Sequence, residues 1–183
     1  ALGYAERSQG RLPMRFRQCL SNSFIITSES PEETFLVGKA LGNAAYPGLL
    51  VLLKGSLGMG KTKLTQGVGH ALGYERVKSP TFIIMSEYEG AVPLLHADLY
   101  RLEDEAEINS LGIEEYLEEG FTAVVEWAER WTEAPDGDRI DVEFEAAPGD
   151  GESRSLTFTG YGEAACEALR RVVEEIKTMV SAE

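Results

Sequence analysis

Two cysteines in 183 residues, Cys19 and Cys166, are too few and too far apart for a disulfide framework or a cysteine-based metal centre. They match no metal or redox spacing, which predicts reduced, unpaired thiols and a cytoplasmic protein. No run of about 18 apolar residues occurs, so no membrane-spanning helix is expected, and the first residues lack the apolar core of a signal peptide. Internal repeats and low-complexity stretches are also missing. A chain of this length is then expected to form one domain that buries its own core.

Positive charge is scarce, with 17 Lys and Arg against 31 Asp and Glu and a net charge of −14. A body so acidic repels nucleic acid, and little direct RNA or DNA binding is expected of it. Only the N-terminal residues, with Arg7, Arg11, Arg15 and Arg17, offer a basic patch. Residues 1–22 are assigned to an N-terminal arm, expected to be a disordered leader or the remnant of a larger fusion, with Met14 as a candidate native start. Residues 23–183 are assigned to the domain.

What is present in strength is a glycine-rich octet, Gly55-Ser56-Leu57-Gly58-Met59-Gly60-Lys61-Thr62, preceded by the apolar run Leu49-Leu50-Val51-Leu52-Leu53 and followed by helix-forming sequence. It fits the phosphate-binding loop G-x-x-x-x-G-K-[ST] in its strand-to-helix context. A triphosphate must be held by many donors without side-chain crowding. Gly55, Gly58 and Gly60 permit the backbone approach that makes an anion nest, and the next helix adds its positive end. The phosphates are expected on Gly58, Met59, Gly60, Lys61, Thr62 and Lys63. Lys61 is expected to reach the β and γ oxygens of ATP, and the Thr62 hydroxyl to ligate Mg2+.

Along the rest of the chain, residues 23–27 read as a strand. Ser30-Pro31-Glu32-Glu33 supplies an N-cap, a proline at the first helical position and a capping-box glutamate for a helix to about residue 45. Strands are expected at 49–54, 83–88, 94–97 and 122–125, with 83–88 and 94–97 forming a hairpin. Short acidic helices are expected over 103–110 and 113–118. Alternating segments at 139–145 and 153–159 flank Pro148-Gly149-Asp150-Gly151 as a second hairpin, and a helix over 163–179 closes the chain. Buried parallel strands with helices between them, and hairpins toward the edges, predict an α/β chain of three layers with the P-loop NTPase fold.

A hydrolysing phosphate-loop protein needs a carboxylate opposite Thr62 to fix magnesium. Asp98 ends the apolar segment 94–97 and Glu126 ends 123–125, so both are candidates. Lys78-Ser79-Pro80-Thr81-Phe82 lies where such proteins place a segment that senses the γ phosphate, which makes Thr81 a candidate switch residue. The alternative reading of Thr81 is a turn set by Ser-Pro. The role of His96 stays open.

In order and spacing, the loop 55–62, Ser79-Pro80-Thr81-Phe82, His96-Ala97-Asp98-Leu99-Tyr100-Arg101-Leu102 and Glu126-Trp127-Ala128-Glu129 resemble the TsaE (YjeE) family over about residues 23–180. That family is the bacterial ATPase required for threonylcarbamoyladenosine in tRNA. The resemblance implies that Thr62 and Glu126 hold Mg2+ and that Asp98 supports the metal site or the attacking water. It also implies nucleotide contacts from Glu129, Arg154 and the Pro31-Glu32 helix start, and puts Trp127 near the site. The family loop usually has Asp and Ala where this chain has Ser56 and Met59, and binding is expected to survive at these non-glycine positions. Implied partners are TsaD and TsaB, whose TsaD subunit transfers the threonylcarbamoyl group, so tRNA is met only through that complex.

The sequence also leaves rival readings open. A small-molecule kinase would need an arginine-rich lid, yet Arg101 and Arg130 stand alone between Ser86 and Trp131. A GTPase switch would need an Asn-Lys-x-Asp guanine reader, which the sequence lacks. A nucleotide-triggered scaffold with negligible turnover fits the motifs as well.

Overall fold

The computed structural model describes residues 13–149 and 151–180. Among the described residues eight strands form one sheet: β1 (Arg15–Leu20), β2 (Ser23–Ser28), β3 (Leu50–Lys54), β4 (Met85–Tyr88), β5 (Leu94–Asp98), β6 (Thr122–Glu126), β7 (Arg139–Ala146) and β8 (Arg154–Tyr161). Their spatial order is β1-β2-β8-β7-β3-β6-β5-β4. Strands β7, β3, β6 and β5 run parallel, and the remaining pairings are antiparallel. Both expected hairpins form, as β4–β5 and β7–β8. The chain is thus a mixed α/β fold built on a single sheet.

The parallel strands read as continuous apolar runs because both their faces are covered. Val51 and Leu53 of β3 join one core with Val37 and Leu41, Leu64 and Val68, and Leu169 and Val172, while Leu50 and Leu52 join another with Ile108, Ile113 and Trp131. The first core lies under α1 (Pro31–Ala44), α2 (Lys61–Ala71) and α5 (Glu163–Met179). The second lies under α3 (Glu105–Asn109) and α4 (Ile113–Glu118).

Helix α1 starts as its residues dictate, with the Ser30 side chain accepting from the Glu33 N–H at 3.2 Å. The Glu33 carboxylate reaches one residue past the expected capping-box partner and accepts from the Glu29 N–H at 2.7 Å. Helices α1 and α2 then cross at glycines. A Cβ at Gly38 would stand 2.1 Å from the Leu64 carbonyl oxygen, and one at Gly67 would stand 2.1 Å from that of Phe35. Only residues without a side chain allow this approach, which fixes α2 and the loop that precedes it.

Two expectations are corrected. The arm assigned to 1–22 is not structureless in its described part. Arg15–Leu20 is the edge strand β1, paired antiparallel to β2, and Met14 is buried. Phe16 packs on Phe24 with ring centroids 5.5 Å apart, so an arm that reads as polar and basic is held by backbone pairing, the buried Met14, this aromatic contact and an ion pair from Arg15 to Glu29. Residues 1–12, with Arg7 and Arg11, lie outside the described residues. The strand expected from residue 83 begins at Met85, because the Ile83 and Ile84 N–H groups donate to the Pro80 carbonyl and Ile84 takes a left-handed φ of 72°.

Candidate functional site

The glycine-rich loop leaves β3 at the edge where β5 and β6 also end. Gly55, Gly58 and Gly60 have φ of 136°, 77° and 102°, all in the region that favours glycine. At Gly55 a Cβ would also meet the Phe144 carbonyl oxygen at 2.6 Å. Helix α2 begins at Lys61 with no side-chain cap and no acidic residue in its first turn. Its first N–H groups and the positive end of its dipole are therefore left for an anion.

Lys61 is buried, and its ammonium donates to the carbonyls of Gly55 at 2.5 Å and Ser56 at 2.7 Å while lying 4.4 Å from the centre of the Trp127 ring. Desolvation pushes its pKa below the usual lysine range, and the nearby carboxylates of Glu129, Glu126 and Asp98 pull the other way. The loop's own carbonyls thus partner the buried ammonium.

Of the two carboxylates, the one that Thr62 meets is Glu126. The threonine hydroxyl donates to Glu126 Oε1 at 2.9 Å, because β6 is the direct neighbour of β3. The other oxygen of Glu126 meets His96 Nε2 at 2.5 Å, and both side chains are buried. Asp98 sits one strand further out, in register with Glu126. Its Oδ2 accepts from the Thr81 hydroxyl at 2.8 Å and its Oδ1 from the Tyr100 N–H at 2.9 Å. Ser79 and Thr81 hydroxyls are 2.8 Å apart, which ties the 79–82 segment to the same carboxylate.

These groups face a cleft of roughly 450 Å³. Its walls are Pro31, loop residues 57–63, Ser79, Thr81, Asp98, Tyr100, Glu126 and Trp127. Trp127 is half-buried with φ of 56°, and its ring centroid is 4.9 Å from that of Tyr100. Four residues named from the sequence stand outside these walls, the first being Gly55 at the start of the loop. Glu32 is exposed. Glu129 is exposed and borders a separate cleft of about 360 Å³ beside Lys54 and Arg139. Arg154 lies at the same end of the sheet, opposite Ser28, and donates to the carbonyls of Gly151 and Ser153. Sequence reading missed Tyr100 and Leu57 as walls and the His96 link to Glu126. Tyr100 belongs to the segment 96–102, but only folding shows that its backbone braces Asp98.

Three comparisons with known proteins bear on this site. The family model described as threonylcarbamoyl adenosine biosynthesis protein TsaE matches residues 28–156. A tRNA threonylcarbamoyladenosine biosynthesis protein TsaE from Bacillus subtilis is 43% identical over 147 residues, covering 78% of this chain and 90% of the relative. The protein of the same name from Streptomyces coelicolor is 39% identical over 134 residues, covering 69% and 90%. Among solved structures, the crystal structure of YdiB from Bacillus subtilis superposes with a TM-score of 0.67 and 32% identity, covering 85% of this chain and 95% of that one.

Proposed function

The chain belongs to the TsaE family, named for tRNA threonylcarbamoyladenosine biosynthesis, and from that premise we propose that it serves this pathway as a magnesium-dependent ATPase of the P-loop NTPase fold. The observation that carries the reading is the Thr62–Glu126 bond at the mouth of the glycine-rich loop, with the buried Lys61 ammonium in the same cleft. Backbone N–H groups of 58–63 and the Lys61 ammonium bind the phosphates of ATP and orient the γ phosphorus for attack by water. The bond from the γ phosphorus to the bridging oxygen then breaks, giving ADP and phosphate.

The donor set fits magnesium. A hydroxyl and one carboxylate oxygen lie side by side, and the described residues hold no cluster of three or more His, Cys, Asp or Glu that would cage a metal by themselves. Such a pair suits a small hard cation completed by phosphate oxygens and water. Thr62 and Glu126 would hold it. When bound, magnesium neutralises the phosphate oxygens. Asp98 holds Thr81, and with it the 79–82 segment, at the γ-phosphate side of the cleft. Glu32, Glu129 and Arg154 are proposed as outer nucleotide contacts.

Among the described residues no arginine lines the cleft. Arg101 lies over the Phe82 ring, and Arg130 donates to the Leu102 carbonyl. This supports slow hydrolysis by the chain alone, completed when TsaD and TsaB dock and move Arg101, Arg130 or residues 79–82. The acidic surface supports a place beside the tRNA and not upon it. No helix among the described residues is long and apolar enough to cross a membrane. Membership of a family named for tRNA threonylcarbamoyladenosine biosynthesis supports a place in the cytoplasm.

Steady-state ATP hydrolysis, alone and with a saturating TsaD–TsaB complex, tests the reading. Magnesium-dependent ATP binding with turnover that rises on adding the complex is the expected result. Absence of magnesium-dependent ATP binding would overturn it, and binding with equal, negligible turnover in both conditions would replace the ATPase by a nucleotide-triggered scaffold.

A further inference from the structure

His96 stands where an apolar residue would pack more simply. It lies on β5 between Leu94, two residues earlier on the same face, and Val124, its partner on β6, and it is fully buried. Among the described residues its Nδ1 is buried with no hydrogen-bond partner, and the bond from Nε2 to Glu126 is the ring's one side-chain link. A buried unpartnered ring nitrogen costs free energy that a leucine would avoid. What the imidazole adds over a leucine at this place is the bond from Nε2 to Glu126.

The effect of that bond is geometric. With Glu126 Oε2 held by His96 at 2.5 Å, only Oε1 faces Thr62, at 2.9 Å. A glutamate free to rotate can offer both oxygens to a metal, as calcium sites of high coordination number use it, whereas magnesium requires near-octahedral ligation and takes one oxygen. Groups that orient a metal ligand from behind are as consequential as the ligand's own identity.

We propose that His96 is a positioning residue that makes Glu126 a one-oxygen ligand and so sets the preference of this site for Mg2+ over Ca2+. The proposal rests on the reading of Thr62 and Glu126 as magnesium ligands. Its physical content is the orientation of one carboxylate, independent of any change in protonation.

The test compares the wild-type chain with His96→Leu, which fills the same space without a donor, and His96→Gln, whose amide places an N–H near the position of Nε2. Affinity for a non-hydrolysable ATP analogue is measured by calorimetry in excess Mg2+, in excess Ca2+ and in EDTA. A partly folded variant scales both metal affinities alike, so the Mg2+-to-Ca2+ ratio reports selectivity and not fold. His96→Leu is expected to lower that ratio about tenfold or more, with His96→Gln keeping most of it and binding in EDTA unchanged. The proposal is overturned if His96→Leu keeps the wild-type ratio, or if Gln and Leu lower it equally. His96→Ala replaces His96→Leu should the latter not fold. Failure of the wild-type chain to bind the analogue more tightly with Mg2+ than in EDTA would instead sink the reading of Thr62 and Glu126 as ligands.

Discussion

The Thr62 hydroxyl donates to Glu126 Oε1 at 2.9 Å, joining the first turn of α2 to the last residue of β6 across 64 positions of sequence. Neither residue can be moved without moving the other's element, since β3 runs into the loop before α2 and pairs directly with β6. Replacing Thr62 by valine keeps the shape and removes the hydroxyl. The gain in nucleotide affinity that magnesium gives over EDTA should fall about tenfold or more, and calorimetry of the folded variant measures it.

Lys61→Ala removes the cation nearest the expected β and γ phosphates. ATP turnover should drop about a hundredfold or more, as for loss of a charged donor at a transferring phosphoryl group. Stability should hold, because the lysine is buried at a desolvation cost that already lowers its pKa. An unchanged turnover in a protein with wild-type circular dichroism would contradict the role.

Thr81→Val breaks the hydrogen bond that ties residues 79–82 to Asp98. The segment would then be free of the carboxylate while the loop donors stay in place. Turnover should fall about tenfold with nucleotide affinity held within about threefold, the pattern of an interaction made at the transition state. A proportional loss of both in binding and kinetic assays would place Thr81 in ground-state binding instead.

Gly67→Ala drives a methyl into the Phe35 carbonyl oxygen, 2.1 Å from the ideal Cβ position. Overpacking of this kind costs about 1–3 kcal/mol, a drop of roughly 2–12 °C in melting midpoint for a chain of this size. Because α2 must shift, and Lys61 and Thr62 begin it, ATP affinity should fall with the midpoint. Scanning calorimetry with and without nucleotide separates the two effects.

Glu33 carries a pH signature. Burial pushes its carboxyl above the ordinary value of 4.5, against the Glu29 N–H bond that lowers it. A raised folded-state pKa means that this group's contribution to stability is full below the unfolded pKa and is lost as pH rises through the folded one. Glu33→Gln, which can still accept from Glu29, should therefore raise the melting midpoint at pH near neutrality by a few degrees, with the gain vanishing below about pH 4. A gain that persists or grows in acid would reverse the assignment.

Much of this protein was legible along the chain because local chemistry decided it. The loop glycines, the Ser30-Pro31 helix start, the two hairpins and the amphipathic closing helix each depend on residues a few positions apart, and each forms within two residues of its expected bounds. Neighbours could not reveal the rest. Whether Asp98 or Glu126 meets Thr62 depends on strand order: β6 lies beside β3 and β5 one place beyond, so two acids that look alike at their strand ends divide into a partner of Thr62 and a brace for Thr81. The pairing of β1 with β2, the glycine crossing of α1 and α2, and the bond from His96 to Glu126 likewise arise from long-range contacts whose distances the sequence does not encode locally. Which chemical groups are available, and which segments carry them, follows from the chain's local propensities and spacing. Which of those groups touch follows from the order and register of the strands in the sheet, contacts made between residues far apart along the chain.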